Sequence, residues 1–317
     1  MPTALSLPCH LSTYYDYPVK APRKKCFIKR VITNVTHWAE PELCPDNNHH
    51  HHFSMPQAAL AGSTTYGGPG SKYTNINEDS FFFGTNADDA LIAGVIDGAG
   101  GTEYGYLGGR LANHTLSKQL QRGKTMKEAF AIADLVVMAS AGGGYAMGVA
   151  IEISPGLHIE MGNKGDARAI TIRGGRILQQ GTTKIHSHVA KYIEKGINPG
   201  HAIHTSPQKH IVYSCIGENK YPYYGTRFFG RPGDIIVMGS DGLFDVVSDY
   251  EILCLADHSN ARDLHQELRT LAYERNNSKS DFKLFFSPKE THIIPAHYIQ
   301  GQKRRGDNIT IQVIELR

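Results

Sequence analysis

Long apolar runs are missing from this sequence of 317 residues: no eighteen-residue stretch combines enough apolar content with freedom from charge to span a bilayer. The opening MPTALSLPCHLSTYYDYPVK lacks a basic start followed by an apolar stretch, and Pro8 and His10 interrupt its one short run, so no secretory signal is expected. Cysteine is sparse and unpatterned. Cys9, Cys26, Cys44, Cys215 and Cys254 form an odd set without a C-x-x-C pair, which excludes a disulfide framework and a zinc ribbon and fits reduced thiols in a cytoplasmic protein. An excess of one charge is lacking too. Lys+Arg 33 against Asp+Glu 30 leaves +3, too little to make nucleic acid or a membrane surface the main partner. Whatever the chain does must therefore reside in a site.

What is present reads as a folded chain. Hydrophobic residues make up 40% and charged residues 20%, which excludes wholesale disorder, a collagen-like repeat and a coiled coil. Residues 1–60 hold no sustained period of 2 or 3.6, carry several prolines and contain the run NNHHHH at 47–52, so they read as an N-terminal extension, partly disordered or accessory. KKCFIKRVITNV at 24–35 is β-branched enough to form a strand. Adjacent histidines on a loop have no fixed ligand geometry, so 49–52 read as a solvated linker and not a metal site. Removing the first sixty residues is expected to leave the remainder folded.

From residue 61 onward short apolar runs alternate with Gly, Asp and Asn. SFFFG at 80–84, LIAGVI at 91–96, YAMGVAIEI at 145–153, LHIEMG at 157–162, ARAITI at 167–172, HIVYSCIG at 210–217, DIIVMGS at 234–240 and NITIQVIEL at 308–316 predict strands. Tyr104, Leu107, Leu111, Thr115 and Leu120 recur at helical spacing. Thr125 with Glu128 and Ser248 with Glu251 are capping boxes, and Asn260 opens a stretch whose Leu264, Leu268 and Leu271 share a face. Strands in hairpin-like succession with a few helices predict a layered α+β domain over 61–317, not a doubly wound parallel sheet. The charged, aperiodic stretch at 275–305 reads as an insertion.

Four acidic groups sit at the ends of apolar runs: Asn77-Glu78-Asp79, Asp97-Gly98, Ser240-Asp241-Gly242 and Gly306-Asp307-Asn308. Each alone is an ordinary turn signal. Together, carboxylates at four strand ends are what hard divalent cations need, since Mg²⁺ and Mn²⁺ take oxygen ligands.

NEDSFFF, VIDGAGGTEYG, GNKGDARA, PGDIIVMGSDGLFDVVSDYEI and GDNITIQVIEL, in this order and spacing, closely resemble the motifs of the metal-dependent serine/threonine protein phosphatases of type 2C, the PPM group. TKIHSHVAKYIEKGI at 183–197 and SPQKHIVYSCIG at 206–217 extend the resemblance over about residues 60–317. It implies a four-layer α-β-β-α sandwich with two central antiparallel sheets, acting as a monomer on phosphoproteins. It also implies two Mg²⁺ or Mn²⁺ ions at one end of the sandwich. On that likeness Asp97 bridges the two ions, Glu78 and the Gly98 carbonyl serve one, Asp241 and Asp307 serve the other, and Asp79 supports them. Asp166, Asp241 and Asp245 correspond to a looser third site. The implied chemistry is direct attack of a metal-bridging hydroxide on phosphoserine or phosphothreonine, without a covalent intermediate. No C-x5-R loop or G-x-S-x-G elbow competes with this reading.

The chain departs from the family at the phosphate clamp. Thr74 stands where an arginine is usual three residues before Asn77, and Lys72 offers only a point charge in place of a bidentate fork. Ala99 follows Asp97-Gly98 where some members carry a histidine. The alternative is therefore a weakly active or inactive phosphatase-like module that binds phosphoproteins. GGPGSK at 67–72 and DGAGG at 97–101 lack the spacing of nucleotide-binding loops. Arg168 and His186 are expected to be structural.

Overall fold

Alternation in the apolar runs sends successive side chains to opposite faces, so a strand covered on both sides must feed two cores. The computed structural model describes residues 49–65, 77–99, 104–218, 220–278, 280–294 and 307–317. Its strands are β1 (His49–Met55), β2 (Ala58–Thr65), β3 (Ser80–Thr85), β4 (Leu91–Gly98), β5 (Ala146–Ile153), β6 (His158–Lys164), β7 (Arg168–Arg173), β8 (Arg176–Leu178), β9 (Tyr224–Phe229), β10 (Ile235–Gly239), β11 (Phe282–Ser287), β12 (Glu290–Ile294) and β13 (Ile309–Leu316). One six-stranded sheet has the order β1-β2-β13-β10-β7-β8, a five-stranded sheet has β3-β4-β5-β6-β9, and β11-β12 form a separate hairpin. Neighbouring strands are antiparallel throughout.

The helices are α1 (Gly105–Gln121), α2 (Met126–Ser140), α3 (His188–Glu194), α4 (Ala202–Thr205), α5 (Asp241–Phe244), α6 (Asp249–Ala256) and α7 (Ala261–Asn276). Strand β10 shows how the layers arise: Ile236 and Met238 enter the core between the sheets, while Ile235 and Val237 face the outer core with Leu264 and Leu268 of α7. In the other sheet Leu91, Ala93 and Val95 of β4 point to the inter-sheet core, and Ile92 and Ile96 meet Leu116 of α1 and Phe130 of α2. The result is the expected four-layer α-β-β-α sandwich with two antiparallel sheets. Both capping boxes form as read: Thr125 Oγ1 accepts from the Glu128 N–H, and Ser248 Oγ from the Glu251 N–H. Asn260 caps α7 through the Arg262 and Asp263 N–H groups.

Three expectations are corrected. The histidine run is not a linker but the strand β1, paired with β2 from His49↔Thr64 to Met55↔Ala58. Alternate side chains diverge along a strand: His51 lies 5.8 Å from the Phe81 ring while His52 faces solvent. A boundary at 60 would cut this hairpin and strip β13 of part of its partner, so residues 49–60 are not a removable extension. Residues 1–48, including the strand expected at 24–35, lie outside the described residues.

Second, 210–217 is not a strand but makes only the isolated bridges Ala146↔Ile216 and Ser187↔Val212. The place beside β6 belongs to β9, which the aromatic stretch around Tyr224 did not signal as a strand. Third, the stretch read as aperiodic at 275–305, of which residues 295–305 lie outside the described residues, begins inside α7 and continues as the β11-β12 hairpin to Ile294. Arg275 holds it in place with a fork to Glu251 at 2.7 and 2.8 Å, and Glu251 also accepts from the Phe285 N–H.

Candidate active site

Strand register brings the acidic motifs to one end of both sheets. Ser80↔Ile96 sets Asp79 across from Asp97, where β3 begins and β4 ends. Gly239 pairs with Arg168 on one side and Ile311 on the other, so Asp241 leaves β10 between the turn that carries Asp166 and the entry to β13 at Asp307. Carboxylates from five strand ends, distributed over both sheets, thus converge.

Buried polar contacts hold each motif in place. Asn77 donates to Thr64 Oγ1 at 2.8 Å and accepts from the Asp79 N–H at 3.0 Å. Thr310 Oγ1 lies 2.7 Å from Thr64 Oγ1, and the Thr310 N–H donates to Ser240 Oγ, so three motif segments and β2 share one network. Lys164, fully buried, donates to both oxygens of Asp134 at 2.9 and 2.7 Å, and Asp134 also accepts from the Gly217 N–H. This pair anchors the end of β6 just before Asp166. The Gly165 N–H donates to His186 Nδ1 at 3.0 Å, which gives His186 the structural place expected of it.

Glycine is required where motifs abut. A Cβ on Gly98 would stand 2.6 Å from the Gly105 carbonyl and 2.9 Å from that of Glu78, and a Cβ on Gly242 would collide with the Asn308 carbonyl. Asn276, at the end of α7, donates to the Gly242 carbonyl at 2.7 Å, and its side-chain oxygen lies 3.5 Å from the Asp307 nitrogen. It clamps two motif turns together, a role that a lone asparagine in a charged stretch does not announce.

The electrostatics are those of crowded anions. Burial, then the fields of Asp241, Asp79, Asp166 and Asp307, hold the Asp97 carboxyl well above the usual carboxylate range. Burial also raises Asp79. Hydroxyls of Ser240 and Thr310 oppose the rise, while Asp307 and Glu78 add to it. Asp79 Oδ2 and Asp97 Oδ2 are buried with no hydrogen-bond partner among the described residues. Glu78, Asp79 and Asp97 are 4%, 2% and 6% exposed, which leaves bulk water little room to solvate their charges. A set of mutually repelling carboxylates, with Glu78, Asp79 and Asp97 buried, fits hard divalent cations.

Asp245 stands differently. Burial would raise it, but Lys209, whose Nζ is 2.6 Å from Asp245 Oδ2, and His210 at 3.7 Å hold it below the usual range. His210 also lies 3.9 Å from Asp241. Of the acids matched to a third ion, Asp166, Asp241 and Asp245 line one cleft, but Lys209 lines it too and already supplies a cation to Asp245. Sequence reading passed over Lys209 and His210 because 210–217 looked like a strand. Arg168 donates to Asp249 at 2.8 Å and stacks on Phe244, a structural contact. Burial pushes the Cys215 thiol up to about 12, so it is no nucleophile at neutral pH. Lys72 and Thr74 lie outside the described residues, and Ala99 packs against the inter-sheet core.

No family model matches the chain. The serine/threonine protein phosphatase PstP of Mycobacterium tuberculosis is 28% identical over 193 residues, 56% of this chain, and the chain spans about a third of that relative's length (35%). Among solved structures, the S. agalactiae serine/threonine phosphatase superposes with a TM-score of 0.62 at 19% identity, covering 82% of this chain and 100% of that one. The catalytic domain of PstP in complex with two manganese ions gives 0.58 at 18%, covering 82% and 98%. The chain is thus similar in sequence to a serine/threonine protein phosphatase and shares the fold of solved structures of such phosphatases.

Proposed function

We propose that the chain is a metal-dependent protein phosphatase that hydrolyses phosphoserine and phosphothreonine in phosphoprotein substrates. The observation that carries this reading is the cluster around Asp97: a buried carboxylate in the field of four others, all at strand ends on one end of the sandwich. Glu78, Asp97, the Gly98 carbonyl, Asp241 and Asp307 would hold two Mg²⁺ or Mn²⁺ ions. When bound, such a pair would neutralise phosphoryl oxygens and lower the pKa of a bound water, which would provide a nucleophile at neutral pH.

The protein's own part is placement. The hydroxyls of Ser240, just past β10, and Thr310 of β13 stand close enough to Asp79 at the start of β3 to oppose the rise of its carboxyl. Gly98 and Gly242 allow backbone to approach where a side chain would push the motifs apart. With Lys209 on Asp245, the reading is a dinuclear site, and the looser third ion drops out of it. Lys72 is the cation proposed to face the substrate phosphate in place of the usual arginine at Thr74, and a single ammonium holds a phosphate with less geometric control than a guanidinium.

The test is release of phosphate from a phosphothreonine peptide in metal-free buffer and then with Mn²⁺ or Mg²⁺. Metal-dependent turnover, reduced about a thousandfold or more in Asp97→Ala while its circular dichroism is unchanged, is the expected result. Equal turnover in the variant would end the proposal. The second reading, a phosphoprotein-binding module, is favoured by Thr74. It predicts peptide binding without turnover, and activity gained in Thr74→Arg.

A further inference from the structure

Away from the carboxylate cluster, the β11-β12 hairpin meets the segment that leads into α4. Glu290 and His292 are two residues apart on β12 and therefore share a face. His201, the residue that opens α4, faces them. His201 Nδ1 is 3.4 Å and His292 Nε2 is 3.3 Å from the same atom, Glu290 Oε1, and one ligand atom from each residue lies within 4.8 Å of the others. Bonds of about 2.0–2.2 Å to a tetrahedral ion put neighbouring ligand atoms about 3.3–3.6 Å apart. The two nitrogen-to-oxygen separations already have that length. The imidazole rings lie 3.9 Å apart at 32°, and Phe286 of β11 closes one side at 5.3 Å from His292 and 6.1 Å from His201. Both histidines are partly exposed, which leaves a path for an ion and a place for water as a further ligand.

We propose that His201, Glu290 and His292 form a binding site for a transition-metal ion of the Zn²⁺, Co²⁺ or Ni²⁺ class, separate from the carboxylate cluster. Two imidazoles and one carboxylate suit such ions, whereas Mg²⁺ and Mn²⁺ prefer the all-oxygen set around Asp97. The ion would staple the hairpin to the segment that continues through His204, whose Nδ1 is 3.4 Å from the Asp245 carbonyl, to Lys209 on the Asp245 carboxylate. The hairpin is otherwise tied to α6, where Ser248 Oγ donates to the Phe285 carbonyl and Glu251 accepts from the Phe285 N–H. A metal at this point would thus join the hairpin to the segment that brings Ile203 and Lys209 to the cleft.

The experiment uses the full-length protein in excess Mg²⁺, titrated with Zn²⁺ against a chromophoric chelator and separately with Co²⁺ by absorbance. Wild type and Asp97→Ala are expected to bind one Zn²⁺ per chain and to show the intense d–d absorption of tetrahedral Co²⁺. Glu290→Gln should weaken binding about tenfold or more, and His201→Ala with His292→Ala should remove it, with melting curves confirming that each variant is folded. Zn²⁺ should also slow hydrogen exchange of residues 282–294 in wild type and not in the double variant. Binding that disappears in Asp97→Ala but survives in the double variant would overturn the proposal. So would no Zn²⁺ binding in excess Mg²⁺, which would leave the triad as polar contacts of Glu290 with the two imidazoles.

Discussion

Lys209 is the residue whose placement most changes the chemistry of the cleft. Its side chain is 8% exposed and its ammonium sits 2.6 Å from Asp245, so a divalent ion at that carboxylate would have to displace a buried cation. In Lys209→Ala, Mn²⁺ stoichiometry followed by electron paramagnetic resonance should rise from two per chain towards three. A count that stays at two would mean that the ammonium is not what keeps a third ion out. His186 and His204 make a second prediction. Burial is the chief cause that lowers each imidazole from 6.5 to about 4, with Lys164 and Lys184 adding to it for His186 and Lys209 and Arg168 for His204. The unfolded chain takes up these protons near 6.5 and the folded chain does not until about 4. Stability therefore falls as pH drops through that window, by up to about 3 kcal/mol per imidazole. Urea midpoints at pH 7 and pH 5 should show the loss, and it should shrink in His186→Asn.

The two capping boxes have the same residue pattern and unequal consequences. Thr125 and Glu128 are exposed and serve only α2, so Thr125→Ala should cost about 1 kcal/mol in urea unfolding. Ser248 is buried, caps α6, and also donates to the Phe285 carbonyl of the hairpin, while its partner Glu251 is gripped by Arg275. Ser248→Ala should cost about 2–3 kcal/mol and accelerate hydrogen exchange across β11. Equal costs at the two caps would mean that the hairpin draws no support from α6. Both caps were legible in the sequence because S/T-x-x-E is a local pattern. The different reach of the second was not, because Phe285 is thirty-seven residues away in the chain.

For the molecule as a whole, the carboxylate cluster is a strain on the metal-free state. Asp79 and Asp97 have folded pKa values above their unfolded ones, so their ionisation opposes folding at neutral pH until cations offset the repulsion. Saturating Mn²⁺ should raise the melting temperature by several degrees, and a chelator should reverse it. Asp97→Asn should melt higher than wild type without metal and respond less to Mn²⁺. An unchanged melting temperature on chelation would show that the cluster does not hold ions tightly enough to matter to folding.

Most strands of the sandwich and the acids at their ends were open to sequence reading because each depends on local order. Alternation in β4, β5 and β10, caps at Thr125, Ser248 and Asn260, and acids at run ends are set by neighbours a few residues apart. The histidine run resisted because its composition is unlike a strand and only pairing with β2 makes it one. HIVYSCIG is strand-like in composition, yet β9 takes the edge beside β6 and leaves Lys209 and His210 at the cleft. By itself, then, the sequence determined a layered α+β domain and the order of the acidic motifs through periodicity and spacing, and the resemblance those motifs carry implied the four layers. Only the tertiary structure decided that Asn276 bridges Gly242 and Asp307, that Lys209 neutralises Asp245, and that His201 meets His292. Those contacts join segments 31–91 residues apart, which no local pattern encodes.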